Sequence, residues 1–226
     1  IDVDVVPIKS VNSKYPEYRP KVNAEENIMY FTSRRTGGSS EILDDEGKYY
    51  EDIYYSEKKH NVWTDPILVQ DLINTQQNSS CLFLSPDAQM MYLSMVNNDP
   101  KIGNIGRGIY ESKLDGSHWT EPSFLEEKIN SKFWETYASL DIYGNILFFV
   151  SDREGGYGGR DIWMVKKLPS GEWADPQNLG EPINSEYDEE SPYLHPDGKT
   201  LYFSSKGHKV MGGFDIFKST LQADKS

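Results

Sequence analysis

The sequence predicts an all-β fold, a β-propeller of four-stranded antiparallel blades with four repeats present, and three observations carry that prediction. A single unit recurs four times along 226 residues; fifteen Tyr, nine Phe and five Trp accompany eighteen Gly and twelve Pro; and no helical period separates the copies. Aromatics and turn formers in these proportions favour many short strands over helix bundles. A four-stranded unit repeating every fifty-odd residues is the signature of a propeller.

The elements of each unit follow in order. Strand a precedes a turn, Glu26-Asn27, Asp87-Ala88, Tyr143-Gly144 or Asp197-Gly198. Strand b follows it with Tyr30-Phe31, Tyr92-Leu93, Phe148-Phe149 or Tyr202-Phe203. Asp-Gly between two such runs is a strong hairpin signal, which pairs a and b. Strand c carries Asp52-Ile53-Tyr54, Gly108-Ile109-Tyr110, Asp161-Ile162-Trp163 and Asp215-Ile216-Phe217. The Asp of this marker is expected to accept hydrogen bonds within its own blade. Strand d starts at Trp63, Trp119 or Trp173, reaches Pro three residues later and runs towards Ile-Asn, ending at Asn74, Asn130 or Asn184.

Asn12 aligns with these asparagines through Val11-Asn12-Ser13-Lys14-Tyr15, which matches Ile129-Asn130-Ser131-Lys132-Phe133. The repeats therefore run over about 13–74, 75–130, 131–184 and 185–226 of one propeller domain. Residues 1–12 form a lone strand d, expected to complete the last blade.

A formal charge of -13 argues against nucleic-acid partners, because phosphate affinity rests on Lys and Arg. No apolar run approaches the roughly 20 residues of a membrane-spanning helix, so direct membrane insertion is not expected. No nucleophile elbow, His-Glu-x-x-His helix or Cys/His cluster is present, so no catalytic residue, metal ligand or cofactor is assigned.

The candidate binding residues are of two kinds. Five positions after each repeat asparagine stand Glu17, Ser79, Glu135 and Glu189, at the entrance to strand a. Either the three carboxylates line a channel mouth, where they would bind a cation or a polar ligand, or each bonds to the adjacent blade. Glu135 and Glu189 are the first pair to test for glycoside hydrolysis, which needs two acids about 5–10 Å apart. The second kind lies in the b–c loops. The longest, residues 36–50, is acidic and Tyr-rich with Asp44, Asp45, Tyr49 and Tyr50, a surface suited to a partner. The cluster Gly155-Gly156-Tyr157-Gly158-Gly159-Arg160 lacks a P-loop ending and reads as a loop needing positive φ, with Tyr157 and Arg160 displayed.

The run Leu194-His195-Pro196-Asp197-Gly198-Lys199-Thr200-Leu201-Tyr202-Phe203-Ser204-Ser205, followed by Gly212-Gly213-Phe214-Asp215-Ile216-Phe217, resembles the TolB-like, or WD40-like, propeller repeat. Ser151-Asp152-Arg153 through Trp163, with Trp173-Ala174-Asp175-Pro176 through Asn184, is similar to one subgroup, the OmpA-family envelope proteins of Bacteroidetes that include the PorE-like component of type IX secretion. The resemblance covers essentially the whole chain. It implies a periplasmic, outer-membrane-associated, non-catalytic interaction module whose partners are envelope proteins. Peptidoglycan would be bound only by a separate domain absent from this chain. The second repeat departs from the pattern at Ala88 and Gly108.

Overall fold

A computed structural model of the chain describes residues 6–97 and 106–222. The first blade contains β1 (Glu17–Val22), β2 (Ile28–Ser33) and β3 (Asp52–Lys59), with the short β4 (Val62–Trp63) and β5 (Ile67–Leu68) both on β3. The second contains β6 (Ser79–Leu84), β7 (Met90–Asn97) and β8 (Gly106–Asp115), with β9 (His118–Trp119) and β10 (Ser123–Phe124) on β8. The third runs β11 (Glu135–Leu140), β12 (Ile146–Ser151), β13 (Asp161–Lys166), β14 (Gln177–Asn178). The fourth has β15 (Glu189–Leu194), β16 (Thr200–Ser205) and β17 (Asp215–Thr220). The fold is an all-β propeller of antiparallel blades, as the repeats predict. Of the expected N-terminal strand, residues 1–5 lie outside the described residues, and the described part of the last blade has three strands.

Two compact units are present. One comprises the first blade and most of the second; the other comprises the third and fourth with the remainder of the second. In the first unit Val11, Met29, Phe31 and Tyr54 form a buried cluster with Ile8, Trp63 and Leu68 against it. In the second unit Phe148, Val150, Ile162, Leu201 and Phe203 do the same with Leu179, Ile183 and Phe217. Each such side chain contributes roughly 1.5–3 kcal/mol on burial.

The a–b turns share one construction. Glu26, Ala88, Gly144 and Gly198 all have positive φ. Ahead of them a side-chain oxygen of Asn23, Ser85 or Asp141 accepts the amides of the residues four and five further on. Asp197 takes that part in the last blade, bonding the amides of Lys199 and Thr200. These acceptors satisfy turn amides that have no ladder partner.

Strand d departs from the expected continuous run. The tryptophan belongs to a hairpin at the far end of strand c, Lys58↔Trp63 and Leu114↔Trp119, with the bridge Lys167↔Trp173. Pairing resumes at Ile67 and Gln177, which face Tyr55 and Met164. The break coincides with Pro66, Pro122 and Pro176, which lack the N–H a ladder needs.

Candidate functional site

The repeat asparagines explain the two sequence markers together. Asn130 Oδ1 accepts the Ile109 N–H at 2.8 Å, and its Nδ2 donates to Ile109 O at 2.8 Å and Leu125 O at 3.1 Å. Asn74 treats Ile53 and Val69 likewise, and Asn184 treats Ile162 with Asn178. The carboxamide acts as a peptide group added to strand d. Only Asn among the short side chains carries both donor and acceptor in that arrangement.

Five residues on, each glutamate is locked. Glu135 accepts the Ser131 N–H at 3.0 Å and the hydroxyls of Ser131 and Ser151 at 2.6 and 2.9 Å. Arg153 pairs with it at 3.0 Å and donates to Ile129 O at 2.6 Å. Glu17 has the same partners in Ser13, Ser33 and Arg35, and Glu189 has Ser185 and Ser205. Glu135 and Glu189 are 0% exposed. These acids are therefore internal anchors of their own blades. A buried carboxylate has to be hydrogen-bonded and paired, and the serines and arginine supply both.

The arginine of this lock is a residue that the repeat reading missed. Arg35 lies over Phe31 and Tyr54 at 5.3 and 4.9 Å, and Arg153 over Phe149 and Trp163 at 4.8 and 5.5 Å. In the fourth blade His208 fills the place, 5.9 Å from Phe203 and 5.0 Å from Phe217, with Nε2 3.0 Å from Ile183 O. The second blade has Ser79 for the glutamate and Asn97 for the arginine. Anion and cation are lost together there, and the buried hydroxyl of Ser79 has no partner among the described residues. The signal available in sequence was the Ser-x-Arg at the end of strand b in the first and third repeats.

The marker aspartates close the b–c loops, as expected. Asp52 accepts the Ser39 N–H and hydroxyl, Asp161 the Tyr157 N–H and Asn178 Nδ2, and Asp215 the Met211 N–H. Gly108 replaces Asp in the second blade because Phe124 occupies the space: a Cβ there would lie 2.5 Å from its ring. In the loop 155–160 only Gly155 has positive φ. Gly158 and Gly159 are required by close approach instead, since added Cβ atoms would come to 2.5 Å from Ser185 O and Asp188 Oδ1.

The loop candidates fall into two separate clusters. In the first unit residues 43–49 form a small hairpin, Leu43↔Tyr49, turning at Gly47 (φ 75). Arg34 anchors it through Asp44 at 2.6 Å, Tyr49 O at 3.0 Å and Glu51 at 3.3 Å. Tyr49 and Tyr50 are half-buried, Tyr49 edge-on to Tyr15 at 6.0 Å, while Asp45 stays exposed beside Ile42 and Leu43. In the second unit Arg160 pairs with Asp188 at 3.1 Å and with Glu190, and its guanidinium lies over Trp134 at 5.2 Å. Its hydrogen bond, with that of Lys206, holds the Asp188 carboxyl well below the usual carboxylate range. Tyr157 remains 56% exposed, so of this pair only the tyrosine is displayed. Among the described residues no group of three or more His, Cys, Asp or Glu could hold a metal ion.

The fold has counterparts among solved structures. The chain matches TolB from Acinetobacter baumannii with a TM-score of 0.63 at 15% identity, over 94% of this chain and 43% of that one. The fold is TolB-like. A TolB assignment from Agrobacterium tumefaciens follows at 0.50 and 13% identity, over 91% and 81% of the two chains. An α-L-arabinofuranosidase from Lactobacillus brevis follows at 0.54 and 12% identity, over 90% and 72%. The chain spans less than half the length of the Acinetobacter protein. No family model and no curated protein matches the sequence.

Proposed function

We propose that the chain is a non-catalytic interaction module of a periplasmic, outer-membrane-associated protein of the OmpA-family kind, acting in type IX secretion or envelope anchoring. The observation that carries this reading is the fate of the carboxylates. A retaining or inverting glycosidase needs two accessible acids, and Glu135 and Glu189 are spent on internal locks. What the surface offers instead is a pinned loop: the hairpin at 43–49 presents Ile42, Leu43 and Asp45 on a base fixed by Arg34. Rigid presentation of a mixed apolar and acidic loop lowers the ordering cost of binding a protein.

The compartment and the envelope partners rest on the repeat resemblance, supported by the TolB-like fold. Asp44, Tyr49 and Tyr50 shape the proposed docking loop, Tyr157 is a second exposed contact, and Arg160 stiffens the loop beneath it. Replacing residues 41–48 by a Gly-Ser linker should abolish capture of an envelope protein that the unmodified chain retains. Equal capture by both would overturn the reading.

A glycan-binding role is the second reading, and one observation favours it. A groove of about 600 Å³ in the first unit is lined by Tyr30, Tyr55 and Trp119 with Asp71, Glu57 and His118. Aromatic faces beside carboxylates suit a sugar ring. A blank glycan array would remove it.

A further inference from the structure

The a–b turns of the first two blades carry Glu25 and Asp87. A bond from the Ala24 N–H to Pro86 O, 2.8 Å long, sets these turns side by side. Both acids line a recess of about 460 Å³ between the turns, together with Asn27 and Ile28. Ile28 also lines the groove of about 600 Å³ that runs past Tyr30, Tyr55 and Trp119 and contains Glu57 and Asp71. Recess and groove therefore adjoin as one seam, and all of its residues belong to the first unit.

Four carboxylates line this seam, and among the described residues no lysine or arginine does. Asp87 accepts the Ser85 hydroxyl at 2.5 Å and the Gln89 N–H at 3.0 Å, and Glu25 accepts the Asn27 amide at 2.9 Å. Neutral donors of this kind fix a carboxylate in place and leave its charge uncancelled. Asp71 accepts the Trp119 N–H at 2.9 Å and lies 3.1 Å from His118 Nδ1, which ties the hairpin of the second blade to the first. Lys59 pairs with Glu57 at 2.6 Å, but its side chain is 65% exposed, and such a pair is displaced at little cost. Tyr30 and Trp119 meet edge to face and are buried. What lies open is therefore charge, the half-buried Tyr55 ring and Ile67, 49% exposed.

We propose that the seam is a docking site for an extended segment of a partner protein that carries basic and apolar side chains. Its cations pair with Glu25 and Asp87 in the recess and with Glu57 and Asp71 in the groove, beside the Tyr55 ring, while an apolar side chain covers Ile28 and Ile67. Complementary charge steers such a segment in and fixes its register. The acids are too dispersed for a single ion, since among the described residues no group of three or more His, Cys, Asp or Glu could hold a metal. Cations spaced along a chain reach all of them. The seam begins at Ile28, the opposite end of β2 from the hairpin at 43–49, and it does not depend on the envelope function proposed above.

The test is fluorescence anisotropy of the full chain at physiological salt with a labelled hexapeptide that alternates lysine and leucine. Saturable binding is expected, and none to the same peptide with glutamate for lysine. Glu25→Gln with Glu57→Gln should weaken it by about tenfold, as loss of two ion pairs implies. Asp45→Asn with Glu46→Gln removes the same charge from the hairpin at 43–49 and should stay within about twofold, because salt screens distant charges. Ile67→Thr, which keeps a β-branched residue and the net charge, should weaken binding by about threefold. Absence of saturable binding overturns the proposal. So does an equal loss from the two acid pairs, which would show attraction to net charge alone, or unchanged binding in Ile67→Thr, which would show that a simple polycation suffices. A sugar whose binding is lost in Tyr55→Ala and is not displaced by the peptide would also overturn it and favour the glycan reading of the groove.

Discussion

Arg153 and His208 hold the same station in successive blades: each lies against two aromatic rings and faces the carbonyl of an isoleucine that precedes a repeat asparagine, Ile129 or Ile183. Only Arg153 also pairs with the glutamate of its blade, Glu135. The third blade thus carries a buried ion pair where the fourth relies on Ser185 and Ser205, through two hydroxyls and the Ser185 N–H.

Removing that cation strands a fully buried carboxylate. Arg153→Ala should cost about 3–5 kcal/mol, read from urea denaturation. The double variant Arg153→Ala with Glu135→Ser removes both charges, as the second blade does with Ser79 and Asn97, and should recover part of the loss. A coupling above about 1 kcal/mol in the double-mutant cycle is expected; additivity would mean the pair is not coupled.

The asparagines should divide by whether they have found their isoleucine. Asn130→Ala removes three hydrogen bonds and should cost about 2–4 kcal/mol, lowering the melting temperature by several degrees. Asn12→Ala, at an exposed side chain that bonds to none of the described residues, should stay within about 0.5 kcal/mol.

Among the glycines the distinction is space. Gly158→Ala would drive a methyl group into the backbone oxygen of Ser185 and should cost about 1–3 kcal/mol. Gly212 has negative φ and open surroundings, so Gly212→Ala should be near neutral by the same denaturation measurement.

Acid should act through Asp188. Arg160 depresses its pKa in the folded chain, so its contribution is present above the unfolded value, about 3.9, and is lost as pH falls through the depressed folded value. Stability curves of the native chain and Asp188→Asn should run apart at pH 5 to 7 and converge below about pH 4. A constant gap down to pH 2 would show that the carboxylate charge is not what Arg160 holds.

Much of this architecture was legible in the sequence because the repeat constrains the same atoms four times. The Asp-Ile and Ile-Asn markers are the two halves of one hydrogen-bonded joint, so their spacing announced the blades. Strand d misled because Trp and Asn share a period while Pro66, Pro122 and Pro176 interrupt the ladder between them. The partners of the glutamates were hidden for another reason: a charged residue at the start of an inner strand reads as exposed unless its counterion is seen. Arg35 and Arg153 lie eighteen residues after their glutamates, whereas the fourth repeat has Gly207 there and brings in His208 one residue later. The Gly158 requirement was equally hidden, since close approach of a backbone 27 residues away leaves no local trace.

The measurement that tests the central claim most directly is quantitative crosslinking in an envelope fraction, comparing the native chain, the chain with residues 41–48 replaced by a Gly-Ser linker, and Glu135→Gln, each verified as folded by circular dichroism. An interaction module docking through the pinned loop predicts an envelope protein crosslinked to the native chain and to folded Glu135→Gln, and lost with the loop. Retention of the same crosslinks without the loop, or a glycoside-cleaving activity abolished by Glu135→Gln, would contradict it.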